Sequence, residues 1–453
     1  MYYFKVRIRN LILGGAAWTT LSFIWCVPAR AAQPMEPFGI GTHWNEHQYY
    51  QLAKDAGIEW LRLDINWAHV QPNSANEWNW SNVDTAINKA ESLGLKVLAI
   101  MSYSTSWSRS GGDINFAHRE EFDDAYKTQL ATIVNRYKDR VDAWEVMNEP
   151  DHNNFLKIGT GTWASNNHPT ASATDKRRLQ YMHMMDLATT ALAPYRSEIT
   201  LTTSGYANGG NHDAGFIDHL AQQPGFFAKH DVFNGHAYGY PSYTPLKNKI
   251  TEYETIRDQQ MPGAPIWITE HGITNSSPDN PPADAGRYMV RSYATALASG
   301  ADKLFWFRHM PGGDHVTLLK SNGQPSILLP IYGVMTAHWN DPLSVTEITG
   351  ITGVEGAIAY RMDGQQVAIV WSDQAQPIAL GDLPFTFTQA FDMWGNGITV
   401  TSFTTLSANP TYLYLGTSIP EPASCLALFA GAALALVRRA KRPAATVNHF
   451  LKG

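Results

Sequence analysis

Eight short apolar runs alternate with stretches of helical period through most of this 453-residue chain. The apolar runs, which we predict to be strands, cover residues 38–44, 60–67, 95–102, 141–148, 199–205, 232–238, 265–270 and 303–307. The helical stretches between and after them cover residues 47–56, 83–93, 122–137, 178–192, 246–259, 287–298 and 331–339. Continuous apolar strands alternating with helices are typical of a parallel sheet covered on both faces. Eight such units predict an α/β fold, a (β/α)8 TIM barrel spanning residues 36–340.

The pattern changes after the barrel, where the helical period disappears. Short β-rich runs take over at residues 357–361, 366–371, 385–391, 398–403 and 411–414. Turn signals separate them, including Asp363-Gly364 and the Gly-Asn-Gly at 395–397. Residues 341–417 are therefore predicted to form a small C-terminal antiparallel β-sandwich domain packed on the barrel. A stabilising role is favoured for it over glycan binding.

The first 31 residues have the pattern of a secretory signal peptide. Lys5, Arg7 and Arg9 give the positive start, an apolar run covers 11–27, and Ala29-Arg30-Ala31 gives a small-residue cleavage site. An uncleaved membrane anchor is the alternative, because the apolar run is on the long side.

The other end of the chain, residues 418–443, has a related pattern. Pro420-Glu421-Pro422 precedes an apolar stretch at 423–437, and four cations follow at 438, 439, 441 and 442. This order resembles the PEP-CTERM sorting tail of Gram-negative bacteria. The resemblance implies export to the cell envelope or extracellular matrix, recognition by exosortase-type sorting machinery, and a transient or lasting inner-membrane anchor through a short transmembrane helix. An ordinary single-span anchor is the alternative.

Cysteine content and charge exclude several classes of function. The two cysteines, Cys26 and Cys425, both lie in the end segments, so a processed chain would have no disulfide and no thiol nucleophile. A net charge of −6 without a basic stripe argues against nucleic acid as a partner. No Gly-x-Gly-x-x-Gly follows the first strand, which disfavours a dinucleotide fold. We expect no cofactor.

Polar and aromatic residues stand where the predicted strands end, which is where barrels of this kind gather their functional groups. They are His43, Trp44, Arg62, Asp64, Ser102, Asn148, Glu149, His236, Tyr238, Glu270, His271, Trp306 and Arg308. Glu149 and Glu270, at the ends of strands four and seven, are predicted to face each other across the mouth. Two carboxyl groups about 5–5.5 Å apart are what retaining glycoside hydrolysis requires.

Several of these residues together resemble a known group of enzymes. Asn148-Glu149-Pro150 and Ile268-Thr269-Glu270, with the arginine of strand two, a His-x-Tyr on strand six and Trp306, resemble the clan A glycoside hydrolases. A barrel followed by a small β-domain is similar to family 39 β-xylosidase-like enzymes, and less so to families 5 and 30.

The resemblance implies a role for each matching residue. Glu149 would be the general acid/base and Glu270 the nucleophile. Beside Arg62 the carboxyl of Glu270 would stay ionised, whereas Glu149, partly buried near that anion, would stay protonated until Glu270 is glycosylated.

The supporting residues would bind substrate or hold the nucleophile. Asn148 would bind the sugar 2-hydroxyl, Arg62 and Tyr238 would hold Glu270, and Trp306 would form the floor of the subsite for the reacting sugar. His43 and His236 complete the expected substrate-binding set.

Each supporting residue also has a structural alternative. Arg62 could pair with Asp64 at the rim, His236 and Tyr238 could be packed polar residues, and Trp306 could fill the core. His43 and His47 are four residues apart, but a third ligand is lacking and we expect no metal site.

The sequence therefore predicts an exported retaining glycosidase with a carbohydrate substrate, either a polysaccharide or an oligosaccharide. Two alternatives stay open: a non-catalytic cell-surface glycan-binding protein, and a transglycosylase that uses the same carboxylate pair. Loop position predicts that tryptophans make the outer sugar contacts, namely Trp78, Trp80, Trp107 and Trp163.

Overall fold

A computed structural model describes residues 33–207, 211–274, 279–312 and 314–416. The predicted signal peptide at 1–31 lies outside these residues, as does the whole of the predicted sorting segment at 418–443. Within the described ranges, none of the helices combines the length and the apolar character that crossing a membrane requires.

Eight parallel strands form the first sheet. They are β1 Phe38–Thr42, β2 Trp60–Asp64, β3 Lys96–Met101, β4 Ala143–Val146, β5 Leu201–Thr202, β6 Phe233–His236, β7 Ile266–His271 and β8 Lys303–Trp306. Their order is β5-β4-β3-β2-β1-β8-β7-β6. Parallel bridges from Thr202 to Val232 and from Tyr206 to Gly235 join β5 to β6. The sheet is thereby closed, and the predicted (β/α)8 barrel is confirmed.

Ten helices accompany the strands in the described residues. They are α1 Tyr50–Asp55, α2 Trp67–Val70, α3 Ser81–Ser92, α4 Asp123–Tyr137, α5 Trp163–Asn167, α6 Ala173–Leu192, α7 Phe216–Ala221, α8 Thr244–Gln260, α9 Ala285–Ala298 and α10 Leu328–His338. Gly57, Gly94 and Gly300 follow α1, α3 and α9 with φ of +74°, +62° and +97°. These left-handed positions end the helices, as the glycines in the sequence predict.

The barrel interior is filled in layers. The lower layer is apolar and made of inward-facing side chains from six strands or strand ends: Trp60, Leu98, Ala143, Val232, Trp267 and Phe305. Two residues further along β2 and β4 come Arg62 and Glu145, both buried and paired with each other. Because strand side chains alternate with a period of two, both point into the barrel above the apolar layer. The polar layer leads upward to the strand ends.

The C-terminal region is antiparallel, as expected. Its strands are β9 Pro342–Glu347, β10 Glu355–Arg361, β11 Gln366–Trp371, β12 Phe387–Asp392 and β13 Thr411–Leu415. They form one five-stranded sheet in the order β12-β13-β11-β10-β9. Residues 398–403, which were expected to form a strand, do not form one. Strand β9 was not predicted, because polar residues interrupt its apolar pattern.

Both faces of this sheet are covered. Ala359, Ile369 and Tyr412 join the main core against the barrel helices. On the other face, Val370 and Leu413 pack under Leu380, Leu383 and Leu406. The second layer of the expected sandwich is thus a loop region with one short helical turn. Between residues 341 and 416, the described part of this region, the strands form one sheet.

Candidate active site

The ends of β4 and β7 carry the two carboxyl groups and depart from regular strand geometry. Met147 has φ +76° and Glu149 has φ +40°, both in the left-handed region that non-glycine residues rarely adopt. On the other side of the barrel, the register of β7 shifts against both neighbouring strands near Glu270. Such irregularities change the direction of side chains at strand ends. Backbone strain of this kind clusters at functional sites, at a cost of about 1–3 kcal/mol per residue.

Arg62 connects the strands below the two carboxyl groups. Its Nε donates to Glu145 Oε2 at 2.9 Å and its Nη2 to Glu145 Oε1 at 2.8 Å. Its Nη1 donates to Glu270 Oε1 at 2.5 Å, and its Nη2 also donates to Asn148 Oδ1 at 2.8 Å. The alternative pairing of Arg62 with Asp64 is absent. The arginine instead holds Glu270, as expected.

Glu270 is held from two sides. Besides Arg62, the Tyr238 hydroxyl donates to Glu270 Oε2 at 2.9 Å. Burial raises the pKa of Glu270, but the charges of His236 and Arg62 and the hydrogen bonds from Arg62 and Tyr238 outweigh burial, so that the net pKa is lowered. The carboxyl group is thus an oriented anion at neutral pH.

Glu149 lies beside this anion and shares a histidine with it. His236 Nδ1 is 2.7 Å from Glu149 Oε1 and 3.5 Å from Glu270 Oε2. One oxygen of each carboxyl group and the ring nitrogen all lie within 4.8 Å of one another. Burial lowers the pKa of His236, and the two carboxylates more than reverse this effect, so its net pKa is raised.

This trio is also the one group of described side chains that could converge on a metal ion. His236 Nδ1 already hydrogen-bonds to Glu149 and lies in ion-pair range of Glu270. His43 and His47, considered above as a metal pair, use their Nδ1 atoms elsewhere, on Asp64 and on the Trp44 carbonyl.

Asn148 is oriented by its neighbours. The hydroxyl of Ser102 accepts the Asn148 backbone N–H at 3.0 Å, and Arg62 occupies the side-chain oxygen. Because that oxygen is taken, the side-chain NH2 group is the donor that Asn148 can offer to a ligand. Asn148 lines the cleft, so the donor is within reach of a bound molecule.

A cleft of about 720 Å³ lies over these groups. Among the residues expected to bind substrate, His43, Arg62, Asn148 and Tyr238 line it, together with Glu149 and Glu270. His236 lies beneath the two carboxyl groups, fully buried. His43 Nδ1 pairs with Asp64 Oδ2 at the ends of β1 and β2. The volume falls in the usual range of ligand pockets.

Trp306 does not form the floor of the cleft, which corrects the expectation for this residue. It is fully buried among the barrel helices, and its Nε1 donates to the Val316 carbonyl at 3.1 Å. The period-two alternation of β8 explains the difference, since Phe305 and Phe307 point inward and Trp306 outward. Gly41 leaves room for the Phe307 ring, because a Cβ there would lie 2.8 Å from it. Phe307 lines the cleft in place of Trp306.

The four loop tryptophans also pack elsewhere. Trp78 stacks on Trp80 with ring centroids 4.7 Å apart, and Trp163 stacks on His183 at 4.6 Å. Trp107 packs edge-on against Trp67. The aromatic residues that line the cleft are Trp44, Tyr103, Phe155, Tyr238 and Phe307.

Two residues of the site were not foreseen from sequence. Glu145, fully buried, is the main partner of Arg62 and also accepts the Gly205 backbone N–H at 2.9 Å. A glutamate inside a four-residue buried strand is the signal that could have identified it. Tyr103 lines the cleft just after β3 with φ +62°. Nothing in its sequence context signals this conformation.

Curated relatives match short stretches of the chain. It is 28% identical over 92 residues to β-amylase 1 (chloroplastic) of Arabidopsis thaliana, covering 19% of this chain and 16% of that protein. It is 26% identical over 136 residues to a 6-phospho-β-glucosidase of Clostridium longisporum, covering 28% of each. The chain therefore spans less than a third of the length of these relatives.

Solved structures match over most of the chain. A family 39 glycoside hydrolase from Bacteroides cellulosilyticus superimposes with a TM-score of 0.63 at 19% identity, covering 85% of this chain and 81% of that one. A GH30 endoxylanase from Clostridium papyrosolvens gives 0.57 at 14% identity, covering 85% and 97%. At these identities the likeness shows the fold.

Two family models match the sequence, each over a different region. The PEP-CTERM protein-sorting motif matches residues 418–442. The model described as cellulase (glycosyl hydrolase family 5) matches residues 29–307, more than half of the chain. The resemblance to clan A glycoside hydrolases is confirmed. The chain belongs to the cellulase family, glycosyl hydrolase family 5.

Proposed function

We propose that this protein is a glycosidase that works with retention of configuration, through a covalent glycosyl-enzyme formed on Glu270. The observation that carries the proposal is the approach of the Glu149 and Glu270 carboxyl oxygens to within 4.8 Å. Retaining enzymes separate their carboxyl groups by about 5–5.5 Å, whereas inverting enzymes leave about 6.5–9.5 Å for a water molecule. The gap between Glu149 and Glu270 suits direct attack on the sugar.

In the first step, Glu270 attacks the anomeric carbon while Glu149 gives its proton to the departing glycosidic oxygen. The C–O bond to the leaving group breaks as the bond to Glu270 forms, and the negative charge moves from Glu270 to Glu149. His236 contacts both carboxyl groups, so it stays beside the anion before and after the step.

In the second step, Glu149 takes a proton from water, and the resulting oxygen nucleophile displaces Glu270 from the anomeric carbon. Glu149 regains its proton and Glu270 its charge, so the site returns to its starting state. Arg62 and Tyr238 stabilise the carboxylate that leaves the sugar.

We propose a polysaccharide or oligosaccharide as the substrate. The cleft has several aromatic walls, and the Asn148 NH2 group points a donor at it. Aromatic faces suit the C–H faces of sugar rings. The sorting motif supports export in a Gram-negative bacterium and handling by an exosortase-type enzyme, so the substrate would be met outside the cytoplasm.

Substitution of each carboxyl group tests the proposal. Glu149→Gln and Glu270→Gln should each lower kcat by about 1,000-fold or more on a polysaccharide or aryl glycoside that the wild type cleaves. In Glu270→Ala, azide should restore turnover by replacing the missing nucleophile.

The matched control is Glu91→Gln, which removes a carboxylate with 58% of its side chain exposed on α3. It should leave kcat unchanged. Near-normal turnover in either Glu149→Gln or Glu270→Gln would remove the basis of the mechanism.

A further inference from the structure

A stacked pair of tryptophans lies outside the cleft and has no part in the double displacement. Trp78 and Trp80 belong to the segment between α2 and α3, and neither of them lines the cleft. Their rings are nearly parallel, with 4.7 Å between the centroids and 8° between the planes. Both side chains are partly exposed. The pair therefore presents aromatic surface to solvent at a place that the mechanism leaves unused.

Trp80 is the fixed inner ring of the pair. It meets Tyr137 of α4 edge-on, with centroids 5.9 Å apart, and the guanidinium of Arg136 lies 4.9 Å from its ring centroid. Asp84 holds that guanidinium, since its Oδ2 accepts from Arg136 Nη2 at 2.6 Å. Trp78 is the outer ring, because Trp80 is the one aromatic side chain that it contacts in the described part of the chain. The face of Trp78 that is turned away from Trp80 is the face on which a ligand can stack.

The indole N–H groups of Trp78 and Trp80 are open to solvent and have no acceptor among the residues that the structure describes. The nearby tryptophans differ from this pair. Trp67 Nε1 donates to Gln71 Oε1 at 2.7 Å, and Trp107 Nε1 donates to the Gln71 carbonyl at 2.9 Å. Because the N–H group of a tryptophan normally has a hydrogen-bond partner, the two accessible N–H groups are donors available to a ligand.

Polar groups surround the two rings. Glu77, Asn79 and Ser81 alternate with the two tryptophans along the chain and are exposed. The Ser81 hydroxyl donates to Asn79 Oδ1 at 3.0 Å, which leaves the Asn79 NH2 group as a donor. Asn73 donates to Glu77 Oε1 at 2.9 Å, which leaves Glu77 Oε2 as an acceptor. Residues 77–81, which we name the tryptophan patch, thus combine a flat apolar ring with hydrogen-bonding groups at its rim.

The chemistry of the tryptophan patch matches a sugar ring. A pyranose offers a C–H face to an aromatic ring and carries hydroxyl groups around its edge, where they meet donors and acceptors. A protein partner fits less well, because one tryptophan buries about 150–250 Å², far below the roughly 800 Å² per partner of a stable interface. The patch is therefore suited to one or two units of a glycan chain.

The tryptophan patch is joined to the wall of the cleft. The Asn79 N–H donates to the carbonyl of Val70, the last residue of α2, at 2.8 Å. His69, the preceding residue of α2, lines the cleft and accepts the Trp44 indole N–H at 3.3 Å. A glycan that rests on Trp78 is thus held beside the cleft, and holding one part of a long chain raises the effective concentration of the rest.

We propose that the tryptophan patch is a second glycan-binding site, on which one sugar unit of a polysaccharide stacks against Trp78 while the chain is presented to the cleft. This inference rests on the proposed carbohydrate substrate, but it does not depend on which carboxyl group attacks the sugar. It adds a binding site that is separate from the catalytic cleft.

Hydroxyl-radical footprinting with mass spectrometry locates the site without a substitution in the tryptophan patch. The chain carrying Glu149→Gln, which should bind glycans with little cleavage, is oxidised with and without hydroxyethylcellulose, glucomannan or arabinoxylan. At least one of these polysaccharides should reduce the oxidation of Trp78 by more than half. Phe403, which is 89% exposed in the C-terminal region, is the control and should be oxidised equally in all samples.

Trp78→Ala removes the outer ring and leaves Trp80 in place. It should raise the Kd for the protecting polysaccharide about tenfold in affinity electrophoresis, the factor that corresponds to an aromatic contact of about 1.4 kcal/mol. Trp78→Phe keeps an aromatic face, and its Kd should stay within about threefold of the parent chain's. Phe403→Ala removes an exposed ring elsewhere, so it is the matched control and should not change Kd. Urea unfolding of each variant shows whether it is folded.

Unchanged oxidation of Trp78 with all three polysaccharides overturns the proposal, and so does an unchanged Kd in a folded Trp78→Ala variant. Protection of Trp78 that increases with protein concentration in the absence of glycan would mean that a second copy of the chain covers the tryptophan patch, which also overturns the proposal. Failure of the proposed mechanism would look different, because turnover would be undiminished in Glu149→Gln or Glu270→Gln while polysaccharide still protected Trp78.

Discussion

Replacing Glu145 by glutamine should lower both stability and the rate of catalysis, although Glu145 does not line the cleft. Its two oxygens accept three N–H groups, from Arg62 Nε, Arg62 Nη2 and the Gly205 backbone. A glutamine offers one oxygen and one NH2 group. In either amide orientation, at least one of the three donors then faces another donor in a fully buried site.

The magnitude follows from the burial of the pair. Removing one partner of a buried ion pair costs about 3–5 kcal/mol because the other charge is left uncompensated. Glu270 still faces Arg62, so we expect the lower end, about 3 kcal/mol of unfolding free energy. A shift of Arg62 also moves Glu270, and a misplacement of about 1 Å costs about 100-fold in rate.

Urea unfolding and steady-state kinetics measure the two effects. The control is Glu91→Gln, an equally conservative change at an exposed position, which should stay within about 0.5 kcal/mol of wild type. If Glu145→Gln unfolds at the wild-type urea concentration and keeps its kcat, then Arg62 does not need Glu145, and the described role of the polar layer is wrong.

Three further perturbations have defined outcomes. Gly205→Ala would place a Cβ 2.2 Å from His236 Nε2, so we expect kcat to fall about 100-fold through displacement of His236, measured against the wild type at equal folded fraction. Burial raises the pKa of Asp151 to about 7, so the folded state keeps a proton that the unfolded state loses above about pH 4. The free energy of unfolding therefore falls as pH rises from about 4 to 7, and Asp151→Asn should gain about 2 kcal/mol at pH 8 and nothing at pH 3.5, by urea unfolding. Burial lowers the pKa of His230 to about 4, so the free energy of unfolding of the wild type falls as pH drops from about 6.5 towards 4. Between those two pH values, the His230→Phe variant should lose about 2 kcal/mol less unfolding free energy than the wild type does.

The barrel and the residues at the ends of its strands could be predicted from two regularities, the alternation of strands and helices and the location of functional groups at strand ends. Apolar runs alternating with helical stretches gave all eight strands, although β5 is reduced to Leu201–Thr202. The rule that strand ends carry function then brought Arg62, Asn148, Glu149, Tyr238 and Glu270 to one cleft, where they lie. Their catalytic roles stay predictions until the variants are measured.

The wrong predictions about cleft-lining residues arose where the direction of a side chain determines whether it enters the cleft. Trp306 was expected in the cleft from its place at a strand end, but alternation along β8 puts Phe305 and Phe307 inside and Trp306 among the helices. The loop tryptophans pack against aromatic side chains and helices, and a single sequence does not reveal these contacts. Tyr103 owes its place to a left-handed backbone conformation that its sequence context does not signal.

The C-terminal sheet shows a related effect. Residues 398–403 have strand-like composition, yet Ile398 packs against the apolar layer that covers the outer face of the sheet. Tertiary packing therefore determined the conformation, since β propensity reflects what a side chain packs against. β9 became a strand by pairing with β10, despite its polar residues.

The anomeric configuration of the first product, followed by proton NMR during cleavage of a glycan that the wild type hydrolyses, tests the central claim most directly. The distance between Glu149 and Glu270 predicts that the newly released sugar first appears with the configuration of the bond that was cut, before mutarotation mixes the anomers. Initial release of the opposite anomer would mean that water attacks directly, and would contradict a covalent intermediate on Glu270.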